Sequence, residues 1–113
     1  MKEKEISVRH PYFILLKSGE KTVEERLYDE FFRDLKKEDI LTFKDESDGE
    51  TFRSLVKDIL VFKDFSEMIK HFGREVLGFK DHSFEDTLKT YNSFYTKEEI
   101  DKMGVCGVCI EKA

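Results

Sequence analysis

The 113-residue chain carries 40% charged and 39% hydrophobic residues, a balance that suits one soluble globular domain with enough length to bury a core. Its formal net charge of −5 argues against coating nucleic acid by bulk attraction, which rests on neutralising phosphates, but leaves room for a local basic pocket that takes one nucleotide or a short single strand. The Met1-Lys-Glu-Lys-Glu start has no apolar leader and no run approaches membrane-spanning length, so a cytoplasmic protein with no membrane partner is expected.

Glu5 to Val8 reads as a short first strand. His10-Pro11 then opens a helix, with Pro11 in the first turn, where its missing N–H costs nothing. Tyr12, Phe13, Leu15 and Leu16 give that helix an apolar face, and Gly19 stands where a left-handed, helix-ending residue belongs. Lys17 and Lys21 flank the negative end of the helix. Thr22 to Leu27 is a strand by alternation, with Thr22, Glu24 and Arg26 on one face and Val23, Glu25 and Leu27 on the other.

Tyr28 to Leu35 is charged and includes Phe31 and Phe32; a short helix or an irregular turn is expected there. A strand runs from Ile40 to Asp45, and Ser47-Asp48-Gly49 signals a hairpin. The return strand, Phe52 to Phe62, alternates imperfectly at Leu55-Val56 and Leu60-Val61-Phe62, which predicts a bulge or burial on both sides.

Three helix starts follow with one grammar: Asp64 with Glu67, Ser83 with Asp86, and Thr96 with Glu99, each pairing an N-cap side chain with an acidic residue three positions on. Phe65, Met68, Ile69 and Phe72 recur at helical spacing before Gly73; Phe84, Thr87, Leu88 and Tyr91 do the same. A last strand spans Val105 to Glu111. The order β-α-β-β-β-α-α-α-β, with no repeat or linker, predicts an α+β domain over 1–113, built on a small, mostly antiparallel sheet or barrel.

Cys106-Gly-Val-Cys109 has the spacing of a zinc half-site or redox pair, but residues three apart on a strand face opposite sides and cannot share a ligand. His10, His71 and His82 show no metal-ligand spacing, so two reduced cysteines, no metal and no cofactor are expected. Asp81 and His82 lack an accompanying nucleophile and read as loop residues. The helix aromatics read as core, whereas Tyr28 and Tyr95 each stand beside a polar turn and are candidates for stacking on a base. Lys21, Glu24 and Arg26 form the principal candidate site. Arg offers a planar fork for phosphate or a base edge, Lys a point charge, and Glu an acceptor for amino or hydroxyl groups; alternatively Glu24 and Arg26 form an ion pair on a sheet face.

Gly19-Glu-Lys21-Thr-Val-Glu24-Glu-Arg26 resembles the G-x-K-x-x-E-x-R signature of the ASCH domain family. Arg26-Leu-Tyr-Asp29, Ile40-Leu-Thr-Phe43, Tyr95-Thr-Lys-Glu-Glu99 and Gly104-Val-Cys-Gly107 extend the resemblance across the chain. It implies a PUA-like fold, a small mostly antiparallel β-barrel with flanking helices, and a cleft bordered by the signature strand. It also implies RNA or a nucleoside or nucleotide as ligand, with no obligate protein partner evident. Lys21 would then hold phosphate or polarise a carbonyl, Glu24 would accept from a base or sugar, and Arg26 would anchor the strand or ligand. Some members are similar in sequence but act as hydrolases that remove the acetyl group of N4-acetylcytidine. Their Thr nucleophile falls at Glu24 here, so an enzyme acting on a modified nucleoside or on RNA would have to use Lys21 and Glu24 as its polar pair. Glu38 stands where relatives commonly carry Gly, a change confined to a turn.

Overall fold

The computed structural model describes residues 1–113 as β1 (Glu3–Val8), α1 (His10–Ser18), β2 (Val23–Leu27), α2 (Glu30–Arg33), β3 (Ile40–Asp45), β4 (Thr51–Phe62), α3 (Phe65–Phe72), α4 (Phe84–Phe94), α5 (Lys97–Met103) and β5 (Val105–Lys112). The strands form one sheet in the order β1-β3-β4-β5-β2; β1 pairs with β3 in parallel and every other pair is antiparallel. The sheet curls into a half-barrel whose two free edges belong to β1 and β2, leaving the gap that becomes the cleft.

Local chemistry sets the element ends. Gly19 closes α1 at φ 86° and donates its N–H to the Leu16 carbonyl, a conformation that favours glycine. Asp64, Ser83 and Thr96 each accept from the backbone N–H three residues on, and Thr96 with Glu99 completes a reciprocal capping box. Asp29 does the same for α2, which resolves the Tyr28–Leu35 stretch as a single helical turn. Thr22 lies just outside β2: its N–H goes to the Val76 carbonyl in the α3–α4 connection, while its carbonyl still accepts from the Ile110 N–H of β5. The predicted irregularity in β4 is a bulge at Lys57, where the register to β5 shifts between Val56 and Asp58. Glu38 has φ 77° and is the one non-glycine residue at positive φ, which locates the strain in the turn before β3.

β5 is buried on both faces, which is why its sequence does not alternate between apolar and polar. Cys106, Val108 and Ile110 join Phe13, Leu16, Leu41, Phe43, Phe52 and Val56 in a core beneath α1 and α2. Val105 belongs to the second core, with Val23, Leu27, Phe65, Met68, Ile69, Leu77, Phe79, Tyr91 and Ile100, beneath α3, α4 and α5. Cys106 is buried and Cys109 half-buried against the other core, and neither is bonded to the other. Gly107 lies opposite Glu25 in β2, and a Cβ there would come within 2.5 Å of the Phe72 ring, so glycine lets that aromatic pack flat on the strand. No helix is long and apolar enough to cross a membrane.

Candidate functional site

β2 is an edge strand, and its charged centre is enclosed on all sides but one. Glu24 and Arg26 share a face, as alternation requires; Arg26 Nε donates to Glu24 Oε2 at 2.6 Å. Arg26 Nη2 reaches across the gap to the Ser7 carbonyl at 3.2 Å, tying β2 to the end of β1. Burial alone would lower the Arg26 pKa, but the charge and hydrogen bond of Glu24 outweigh it and hold the guanidinium ionised.

Lys21 is fully buried. Its ammonium donates to both oxygens of Glu25, to Oε2 at 2.6 Å, and to the Leu77 carbonyl at 2.9 Å. Three N–H groups meet three acceptors, so Lys21 has no donor left for a phosphate. Glu24 Oε1 lies 3.9 Å away. The Lys21 side chain thus passes beneath the strand to Glu25 and does not flank the end of α1. Leu77 and Gly78 close over its stem; a Cβ at Gly78 would meet Lys21 Cδ at 3.2 Å.

Glu25 is the group that sequence reasoning missed. Alternation assigns it to the helix face with Val23 and Leu27, and there it ends between Lys21 and Tyr91 instead of in solvent. Burial raises its carboxyl to about 7, against the pull of the Lys21 ammonium and with a further push from Glu24. The Tyr91 hydroxyl lies against Glu25, near enough for the carboxylate, together with burial, to raise its pKa. It nevertheless makes no hydrogen bond of good geometry and is the one buried side-chain polar atom without a partner. Together Lys21, Glu24, Glu25 and Arg26 are formally neutral, two cations against two anions.

Above this floor opens a cleft of about 220 Å³, lined by Ser7, Val8 and Arg9 from the end of β1, Tyr12 of α1, Glu24, Glu25 and Arg26 of β2, Glu46 of the hairpin, and Tyr91, Phe94 and Tyr95 around the end of α4. The volume is below the roughly 300–1,000 Å³ of drug-sized pockets, which scales it to a single base or nucleoside. Tyr95 stands in its wall, its ring stacked at 5.8 Å on Phe65, which in turn stacks on Tyr91 at 4.8 Å. The Arg9 guanidinium lies over the exposed Phe94 ring at 5.2 Å. Tyr28 does not line the cleft; Arg33 packs on its ring at 4.5 Å, near α2. Tyr12, Phe94, Arg9 and Glu46 are lining residues that the sequence did not single out.

Chemically the cleft offers acceptors in excess. Arg26 Nε and Nη2 are engaged, Lys21 is saturated, and the carboxylates of Glu24, which is buried, and Glu46, which is exposed, line the cleft. Such a site suits a flat ligand with N–H or O–H donors more than a dense anion. Cys106, on the same strand face as Glu24 and Arg26, is held as a thiol, pushed up to about 12 by burial, Asp29 and Glu24. No three His, Cys, Asp or Glu side chains are grouped as metal ligands.

A small curled sheet flanked by helices and open along one side is the PUA-like α+β architecture. The ASCH domain profile matches residues 6–110, and the chain belongs to the ASCH domain family, which is thought to bind RNA. Among solved structures, hypothetical protein PH0355 is 35% identical over 100% of both chains with a TM-score of 0.87. Protein PF0455 from Pyrococcus furiosus is 33% identical over 97% of this chain and 96% of its own, with a TM-score of 0.79. An ASCH protein from Zymomonas mobilis shares the fold at 17% identity, covering 99% of this chain and 70% of its own with a TM-score of 0.71. No curated protein sequence matches the chain.

Proposed function

We propose that this ASCH domain binds single-stranded RNA by admitting one base into the cleft between the free edges of β1 and β2. The observation that carries the reading is the pairing of a carboxylate-rich floor with aromatic walls in a cavity of about 220 Å³. Glu24 accepts from the donors of the base or ribose, Tyr91 supplies the hydroxyl that has no partner within the protein, and Tyr95 with Phe94 stacks on the ring. Arg26 holds Glu24 in place and presents its outer edge to the backbone of the strand. Lys21 acts through Glu25, as a positioning residue buried under the floor.

Fluorescence anisotropy with a labelled single-stranded RNA octamer, and with its duplex as competitor, tests this. Preference for the single strand with a shallow salt dependence is expected, a slope near −1 for the one or two phosphates that Arg9 and Arg26 can meet. Equal affinity for the duplex, or a steep slope, would overturn the reading.

A second reading, hydrolysis of a modified nucleoside, draws on the raised carboxyl of Glu25 in an enclosed cleft beside Lys21. Here a water replaces the missing Thr as nucleophile: Glu25 in its ionised form takes the water's proton as the oxygen bonds to the acetyl carbon, then returns it to the exocyclic nitrogen as the C–N bond breaks, giving acetate and cytidine. Mass spectrometry of N4-acetylcytidine incubated with the protein and with Glu25→Gln tests it. Cytidine formed only by the parent supports an enzyme, and no turnover by either removes this reading.

A further inference from the structure

Tyr95 lines two cavities. One is the cleft; the other is a groove of about 420 Å³ between α3, α4 and α5, walled by Phe65, Leu88 and Ile100 and rimmed by Ser66, Asn92 and the Lys97–Asp101 ion pair. Along α4 the residues divide by helical spacing: Tyr91 and Phe94 turn toward the cleft, Leu88 and Asn92 toward the groove, and Tyr95 stands at the boundary. The two cavities therefore share Tyr95 as a wall residue.

The charges on either side of that boundary differ. The Tyr95 hydroxyl lies within the field of Arg26, which opposes the effect of burial on its pKa. Arg26 spends Nε on Glu24 and Nη2 on Ser7, whereas Nη1 makes no hydrogen bond within the protein. The groove, by contrast, holds Asp64 and Asp101 against Lys97 alone. Asp64 is already committed to the Glu67 N–H as the cap of α3, while Asn92 is exposed and its side-chain amide is unengaged. An apolar slot with a free amide and a net negative rim accepts an uncharged ring and sugar and repels a phosphate.

We infer that the groove is a second nucleoside subsite, so that the ligand is a dinucleotide unit of single-stranded RNA straddling Tyr95, with the bridging phosphate at Arg26. This rests on the RNA-binding reading and goes beyond it by fixing the length of the footprint. The first base occupies the cleft, the phosphodiester crosses beside Tyr95 where the only unengaged guanidinium N–H groups of the floor lie, and the second base stacks in the groove against Leu88 and Ile100. The acidic rim ends the footprint there, and a third nucleotide finds no further site.

Calorimetric titration of the whole chain tests this with the four nucleoside 5′-monophosphates, the dinucleoside monophosphates of every base combination, and trinucleotides built on the tightest of these. One additional stacked base should tighten binding about tenfold or more from mono- to dinucleotide, with less than a threefold further gain for the trinucleotide. Asn92→Asp, a change at an exposed helical position, and Leu88→Ala should each abolish most of the dinucleotide gain while leaving mononucleotide affinity unchanged. A mononucleotide that binds as tightly as its dinucleotide, or a gain that survives both substitutions, overturns the second subsite alone. Failure of every probe to bind overturns the subsite together with the RNA-binding reading beneath it.

Discussion

Replacing Lys21 with Met isolates what the buried ammonium does. If it held a phosphate, Lys21→Met would reduce affinity and flatten the salt dependence of RNA binding; if it holds Glu25, the effect appears in stability and depends on pH. In the parent, the folded-state carboxyl of Glu25 is raised from 4.5 to about 7. Stability from this group is therefore fully present below the unfolded value and is lost as pH rises toward about 7. Without Lys21 the folded value rises further, because the largest opposing influence is gone. Below about pH 7 both proteins keep Glu25 protonated when folded, and they differ only by the bonds lost at Leu77 and Glu25. Above it the parent releases the proton while the variant retains it, so the gap widens by about 1.4 kcal/mol per pH unit until the variant's own value is reached. Two units of pH give about 3 kcal/mol, which corresponds to about 1–2 M in a urea midpoint for a domain of this size. Urea denaturation of parent and variant at about pH 6 and about pH 9 measures the gap at both ends. The double variant Lys21→Met with Glu25→Met should lose the widening, since apolar replacement of a buried pair is often neutral. A gap that is constant across this range, or that opens already near the ordinary carboxylate range, would refute the assignment of Lys21 and Glu25 as a proton-sharing buried pair.

Tyr91→Phe removes the unpartnered hydroxyl but keeps the ring on Phe65. Thermal stability should be unchanged or improved by up to about 1 kcal/mol, while RNA affinity falls about fivefold or more; a stability loss above that size would show that the hydroxyl is already bonded. Glu38→Gly should stabilise the protein by about 0.5–1 kcal/mol in chemical denaturation, because the turn before β3 holds Glu38 at φ 77°. A loss of stability there would place the strain elsewhere. His10 Nδ1 meets the buried Asp45 carboxylate at 2.6 Å, and that bond raises the imidazole pKa. An NMR titration should therefore place His10 above an ordinary histidine, and Asp45→Asn should bring it back; an unshifted titration in the parent would remove the pair from the account.

The elements were legible because their ends carry local chemistry. The caps at Asp64, Ser83 and Thr96, the left-handed Gly19 and the hairpin at Ser47-Asp48-Gly49 each act within a few residues of where they are written. Glu24 and Arg26 were legible as neighbours because strand alternation is local as well. Glu25 was not, since its partners Lys21 and Tyr91 meet only when α4 docks over the edge of the sheet, and alternation alone assigns it to an apolar face. A signal was present: a charged residue between Val23 and Leu27 on a buried face needs a partner, and Lys21 is four positions away. Tyr28 misled because a polar turn beside an aromatic residue looks like a stacking platform, whereas Arg33, five residues on, covers its ring. Tyr91 was placed in the core by its helical spacing, and it is there; that the residue also lines the cleft follows from the tertiary arrangement.

β2 has a single partner in the sheet, and that partner is β5, the last strand in chain order. Residues 23–27 must wait, unpaired, until residues 105–112 have been synthesised and have taken their place beside β4. Closing that loop spans most of the chain, a high contact order that delays this contact relative to the β3–β4 hairpin. The signature segment thus leaves the ribosome well before the strand that completes its pairing, and it is among the last parts to be built into the fold. A chain stopped short of β5 keeps every residue of the signature and has no cleft to put them in.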